Sequence, residues 1–405
     1  MGLLRPEEAW ERIAERVAPL PGEIVGRRAA AGRVLAADLT ATVDVPAGDV
    51  SAMDGYAIAG ISGDAGAAHP GGVLPVSGTI AAGDPPGFEL APGTAARIMT
   101  GAPVPRGADR VIPVERTDGG RERVTFAAGA KAGEHVRRRG EILGAGGLLL
   151  PAGARLTPGA LSLLATHGYT EAPVHRAPTI RMLATGDEVV PPETVPAPGQ
   201  LRDSHTDFLL AAGATLGLRV EPLGIAPDRV EPLWELIRQG LQADVLLLCG
   251  GVSMGEFDLA EGVLDGLGCE RIFDAVAIQP GKPLVFAVHP GGLVFGLPGN
   301  PGSVMVSFWL FVRPALRRLM GCEDSWWGPA VAGTLTAPLP GGPTRDRFVP
   351  AAAEARGGEL RVTPFLPKGS HDLTAFGRGN ALVRLRAGAP PVPAGGRCEA
   401  LIVTP

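Results

Sequence analysis

Apolar positions recur along the first twenty residues at helical spacing. In "RPEEAWERIAERVAPL" (5–20), Ala9, Trp10, Ile13, Ala14, Val17 and Leu20 share one face behind an acidic first turn. The pattern then shortens: from 46 to 136 the chain runs in brief β-like stretches cut by Gly and Pro, as in "GGVLPVSGTIAAGDPPG", which predicts a small β-rich domain. One helical pattern, "TPGALSLLATHGY", interrupts residues 140–176. From 178 to 320 strand and helix patterns alternate. "TIRMLAT", "LRVEPLGI", "DVLLLCG", "RIFDAVAI", "LVFAV" and "LVFGL" read as strands, several apolar throughout, as strands covered on both faces must be. "DSHTDFLLAAGATLG" and "DRVEPLWELIRQGL" read as intervening helices with Asp in capping position. The pattern predicts a parallel, doubly wound α/β domain. After 326 short strands return, suggesting a small β-barrel or sandwich.

Composition narrows the class. The chain has 405 residues, more than one core usually serves, and its hydrophobic content of 45% excludes disorder despite Gly 59 and Pro 40. A net charge of -5 offers no general attraction to nucleic acid or to an anionic membrane, so neither is an expected partner. Cys249, Cys269, Cys322 and Cys398 form no CxxC pair, the first residues carry no leader pattern, and no apolar run reaches spanning length, which together point to a reduced, cytoplasmic protein.

Ligands of an open α/β sheet collect beyond the carboxyl ends of its strands, so the loops after the strands carry the candidate chemistry. "TGDE" (185–188) holds Asp187 and Glu188. "GGVSMGEFD" (250–258) sets Gly250 and Gly251 beside Ser253, Glu256 and Asp258, a combination suited to a phosphate whose charge is shared with a divalent cation such as Mg²⁺. "QPGKP" (279–283) supplies Lys282. In "GLPGNPGS" (296–303), Gly299 and Gly302 permit close backbone approach, Pro301 suits a first helical turn, free N–H groups there favour an anion, and Ser303 adds a hydroxyl. A P-loop, a dinucleotide fingerprint and a zinc-ligand cluster are all missing from the sequence. His205 and His371 stand as lesser candidates, and "RRRG" (137–140) reads as a solvated hinge.

The set "SAMDGYAI", "RIMTGAPVPRGADRVIPVE", "TGDE", "GGVSMGEFD", "QPGKP" and "GLPGNPGS", in this order, resembles the molybdopterin molybdenumtransferases, which complete molybdenum cofactor biosynthesis. The resemblance runs from the first helix to "PKGSHDL" (367–373). It implies a multidomain α/β and β fold: a discontinuous linker domain (1–45 and 137–177), a β-rich domain (46–136), an α/β molybdopterin-binding domain (178–326) and a C-terminal β-barrel (327–405), assembled as a homodimer. It also implies a reaction in which adenylylated molybdopterin and molybdate give the cofactor and AMP with Mg²⁺. By resemblance Asp54, Thr100, Glu188, Asp228 and Asp258 are linked with activity, Glu188 and Asp258 as metal ligands. Asp187, Gly250, Gly251, Ser253, Pro298, Gly299, Asn300 and Pro301 would meet the organic substrate. Lys282, Ser303, Arg345 and Ser370 would form the molybdate pocket, where a tetrahedral dianion needs cations and donors on several sides.

Three positions depart from the family's usual pattern. Gln279 stands where a lysine is common, Ile142 where an acid is common, and His205 where an asparagine is common. Weaker molybdate binding follows from the lost cation, and a tungstate-preferring paralogue, a molybdopterin adenylyltransferase or a non-catalytic molybdopterin-binding scaffold are the alternative readings. A molybdopterin adenylyltransferase and acceptor molybdoenzymes are the implied protein partners.

Overall fold

The computed structural model describes residues 3–59, 70–250, 259–323 and 325–403. Two compact units emerge, one of residues 1–24 with 173–405 and one of residues 25–172.

In the 25–172 unit, strands Gly55–Ile58, Val73–Ile80, Ala95–Ile98, Arg110–Pro113 and Arg123–Thr125 form one sheet. Its period-two alternation buries Tyr56, Ile112 and Phe126 on one face and Ala57, Ile98 and Val111 on the other. Gly55 is obligatory where two strands approach, since a Cβ there would lie 2.0 Å from the Ile112 carbonyl oxygen. The basic run at 137–140 is solvated as expected, Arg137, Arg138 and Arg139 all being exposed, and Arg138 and Arg139 also pair with Asp49 and Asp44 of the same unit. Ile142 is exposed.

In the other unit, a six-stranded sheet has the order Val220–Ala226, Ile180–Thr185, Val245–Cys249, Gly292–Leu297, Pro283–His289, Glu270–Ala275. The first four strands are mutually parallel. The last two are antiparallel additions. The reason lies in the loop: only Pro290 and Gly291 join Pro283–His289 to Gly292–Leu297, enough for a hairpin but far too few for a parallel crossover. Strand Val245–Cys249 is buried at every position because helices cover both faces. The opening helix Pro6–Ala14 and the helical segment from Pro301 to Leu319 share a core with one face, while Val230–Gly240 and Leu259–Gly266 cover the other.

"RIFDAVAI" splits in two. Glu270–Ala275 joins this sheet, whereas Ile278–Gln279 leaves it and pairs in parallel with the start of strand Asp346–Arg356. That strand belongs to a closed ring of five with Glu359–Pro364, Ala330–Leu335, Arg397–Ile402 and Ala381–Leu385, so the C-terminal part is a barrel rather than a sandwich. Leu335, Val349, Val362 and Val383 fill it. Trp326, Phe348 and Phe376 sit in the same buried cluster as Ile13, Phe286 and Phe311, so barrel and α/β sheet share one core. Arg384 reinforces this junction by pairing with both Asp346 and Glu7 and stacking over Trp326. No helix among the described residues is long and apolar enough to cross a membrane.

Candidate functional site

Parallel strands aim their carboxyl ends the same way, and here four of them end at Thr185, Ala226, Cys249 and Leu297. The following loops bring Glu188, Asp228, Gly250, Gly299, Asn300 and Pro301 around one cavity of about 560 Å³. Gly250 holds φ at +89°, and a Cβ there would come within 2.6 Å of the Thr185 carbonyl oxygen, so only glycine lets these two strand ends meet. His205 and His371 line the same space. Burial pushes the His205 imidazole below its ordinary pKa, with Asp203 opposing, which favours the neutral ring.

Asp203 performs the capping expected of it, accepting the N–H groups of His205 at 2.8 Å and Thr206 at 3.2 Å. Asp228 does not cap the next helix, which begins after Arg229 without a side-chain cap. Instead its backbone N–H donates to Asp187 at 3.1 Å, and burial, reinforced by the charges of Asp187 and Glu188, holds its carboxyl above the usual range. None of these three carboxylates pairs with Lys or Arg among the described residues. Among the described residues, no three Asp, Glu, His or Cys side chains are grouped so as to hold a metal ion. Asp258, the other expected ligand, lies outside the described residues, as do Gly251, Ser253 and Glu256.

A second cavity, of about 420 Å³, opens between the α/β part and the barrel of the same unit and shares Asn300 with the first. Lys282, Ser303, Arg345 and Ser370 all line it, as does Gln279, and two further cations, Arg347 and Lys368, join them. No Asp or Glu contributes to its wall. Arg345 donates to the Ile278 carbonyl at 3.1 Å, which orients its guanidinium. Ser303 is buried at 4% exposure. Gly302 seats the barrel side: its N–H donates to the Ser370 carbonyl at 2.8 Å, and a Cβ would meet that oxygen at 2.8 Å and the Phe376 ring at 2.5 Å. The N–H groups at this helix start are therefore not free for an anion, because Ser370 takes that of Gly302 and Asn300 takes those of Ser303 and Val304. An anion in this cavity would be met by side chains instead.

The remaining expected residues fall elsewhere. Asp187 lines an adjoining cavity of about 670 Å³. Pro298 follows the last parallel strand and lines neither of the first two cavities. Asp54 and Thr100 belong to the 25–172 unit, where the Thr100 backbone N–H and hydroxyl donate to the Asp54 carboxylate at 2.7 and 2.8 Å. Those bonds hold the Asp54 pKa below its ordinary value. Arg347 and Lys368 escaped the sequence reading. The signal for Arg347 was strand alternation, since it stands two residues after Arg345.

Comparison with known proteins places three family profiles in succession: the MoeA N-terminal region (domain I and II) over residues 4–168, the probable molybdopterin binding domain over 181–318, and the MoeA C-terminal region (domain IV) over 332–403. Among curated relatives, molybdopterin molybdenumtransferase 2 of Mycobacterium tuberculosis is 37% identical over 90% of this chain and 91% of its own. The molybdopterin molybdenumtransferase of Bacillus subtilis (strain 168) is 32% identical over 92% of this chain and 87% of its own. Among solved structures, a molybdopterin biosynthesis MoeA protein from Pyrococcus horikosii superposes with a TM-score of 0.81 at 31% identity, covering 100% of both chains.

Proposed function

Because this chain belongs to the molybdopterin molybdenumtransferase family and is an enzyme of molybdenum cofactor biosynthesis, we propose that it inserts molybdate into adenylylated molybdopterin with release of AMP. The observation that carries this reading is the meeting at Asn300 of a carboxylate-free cavity lined by four cations and a larger cavity of about 560 Å³ that ends in carboxylates. Lys282 and Arg345 neutralise a tetrahedral dianion, and the Ser303 and Ser370 hydroxyls donate to its remaining oxygens. The adjoining cavity takes the organic substrate, its phosphates close to Gly250 and Gly299 and its dithiolene directed towards Asn300.

Two substrates held across one residue react as if in a single molecule, so positioning supplies much of the acceleration. A water oxygen attacks the pterin-side phosphorus and the bond from that phosphorus to the AMP oxygen breaks, so AMP leaves; the two dithiolene sulfurs replace oxygen on molybdenum, and the displaced oxygen departs as water with the protons the thiols give up. Glu188, with Asp258, would hold Mg²⁺. Bound there, the cation supplies charge neutralisation at the pyrophosphate linkage. The His205 ring, which burial keeps towards its neutral form, and the His371 side chain border the organic substrate. Homodimeric assembly and a cytoplasmic setting complete the proposal.

The test is to mix the purified protein with adenylylated molybdopterin and Mg²⁺, titrate molybdate and tungstate separately, and follow AMP release and reconstitution of a cofactor-free molybdoenzyme. Molybdate-dependent AMP release with active cofactor is expected. AMP release that ignores either oxyanion contradicts the reading, and a response to tungstate alone replaces molybdate with its heavier analogue.

A further inference from the structure

Two of the four cations in the oxyanion cavity, Arg347 and Lys368, belong to no assigned role, and one polar wall residue, Gln279, is neutral. Gln279 and Arg347 are register partners in adjacent parallel strands, so their side chains rise on the same face of the pair. Along its strand Arg347 alternates with Asp346, the nearest acid in sequence. Asp346 is buried and pairs with Arg384, leaving Arg345 and Arg347 as the charged residues of that stretch that line the cavity. The side chains of Lys282, Arg347 and Lys368 have no hydrogen-bond or ion-pair partner among the described residues. Lys368 feels Asp372, which accepts its backbone N–H and caps the helix Leu373–Gly377. Four like charges around a space without carboxylates repel one another until an anion enters.

We propose that Arg347, assisted by Lys368, supplies across the strand pair the cation that Gln279 lacks, and so sets this chain's affinity for tetrahedral oxyanion dianions. The proposal rests on the oxyanion reading of this cavity given above. A guanidinium offers a planar fork that can engage two oxyanion oxygens at once, a geometry the Gln279 amide cannot match with charge. The positive charge is thus relocated by one strand rather than lost, and weak molybdate binding is not expected.

The experiment is calorimetric titration of the full chain with sodium molybdate, with thermal melts confirming the fold of every variant. Arg347→Gln is expected to weaken binding about tenfold and Lys368→Gln less, as loss of a charge-assisted hydrogen bond implies. Arg347→Lys should retain most of the affinity. Adding Gln279→Lys to Arg347→Gln should restore it, because the charge returns from the neighbouring strand. In turnover, Arg347→Gln should raise the KM for molybdate and leave kcat at saturation unchanged. If Arg347→Gln and Lys368→Gln both bind like the parent while Lys282→Met loses binding, this inference falls and the oxyanion cavity stands. If the parent protein binds no molybdate, the oxyanion reading falls first and takes this inference with it.

Discussion

Single side chains divide here into those that stabilise the fold and those held against its interest. At the amino end of the sheet, Asp244 accepts two bonds from Arg176 at 2.7 and 2.6 Å and two from Thr179, each at 2.7 Å, and its pKa is pulled down to about 2. A depressed carboxylate stabilises above its unfolded pKa and loses that contribution as pH falls through the folded value. Asp244→Asn should therefore lower stability by about 2 kcal/mol at neutral pH, the gap to the parent closing between about pH 4 and 2 in acid-unfolding curves. At the opposite end, the Thr185 hydroxyl is buried with no partner among the described residues and lines the larger cavity. Thr185→Val should leave stability unchanged or raise it by about 1 kcal/mol, while weakening organic-substrate binding in a direct titration. That Lys282, Ser303, Arg345 and Ser370 belong together was legible because they sit in motifs whose order resembles the family's, and they do line one cavity. Arg347 was not, because its relevance depends on which face of a strand meets the cavity, and that is fixed by its pairing with Ile278–Gln279.

Whole elements were legible where a single period persisted. Apolar runs such as "VLLLC" and the amphipathic "VEPLWELIRQG" could be read directly as strand and helix. Reading failed where one run serves two sheets, as in "RIFDAVAI", since nothing local marks the departure of Ile278–Gln279 to the barrel. The backbone anion site expected at "GNPGS" failed for a related reason: Ser370, far downstream in sequence, supplies the carbonyl that takes the Gly302 N–H. Gly302 is therefore the contact that fixes Ser370 against the helix start. Gly302→Ala should push Ser370 away and reduce molybdate affinity about tenfold in titration, with far-UV circular dichroism unchanged. Parent-like affinity in that variant would mean the Ser370 hydroxyl plays no part.

At the scale of the molecule, changes in texture along the chain marked the β-rich, α/β and barrel segments, and three family profiles follow the same order. What texture could not convey is that the α/β sheet and barrel share a core through Trp326, Phe348 and Phe376, because such contacts join residues far apart in sequence. Trp326→Ala should cost about 3 kcal/mol, as large-to-small changes at buried aromatics do, and chemical denaturation should show the barrel and sheet weakening together. Through that shared core, Lys282 on one side and Arg345 on the other are held around one cavity. If this cavity takes the oxyanion, tungstate will report it directly, because it scatters X-rays anomalously and shares molybdate's charge and shape. Crystals soaked in tungstate should show one strong anomalous peak among Lys282, Ser303, Arg345 and Ser370. A peak confined to another site, or none in this cavity at saturating tungstate, would show that the oxyanion binds elsewhere or not at all.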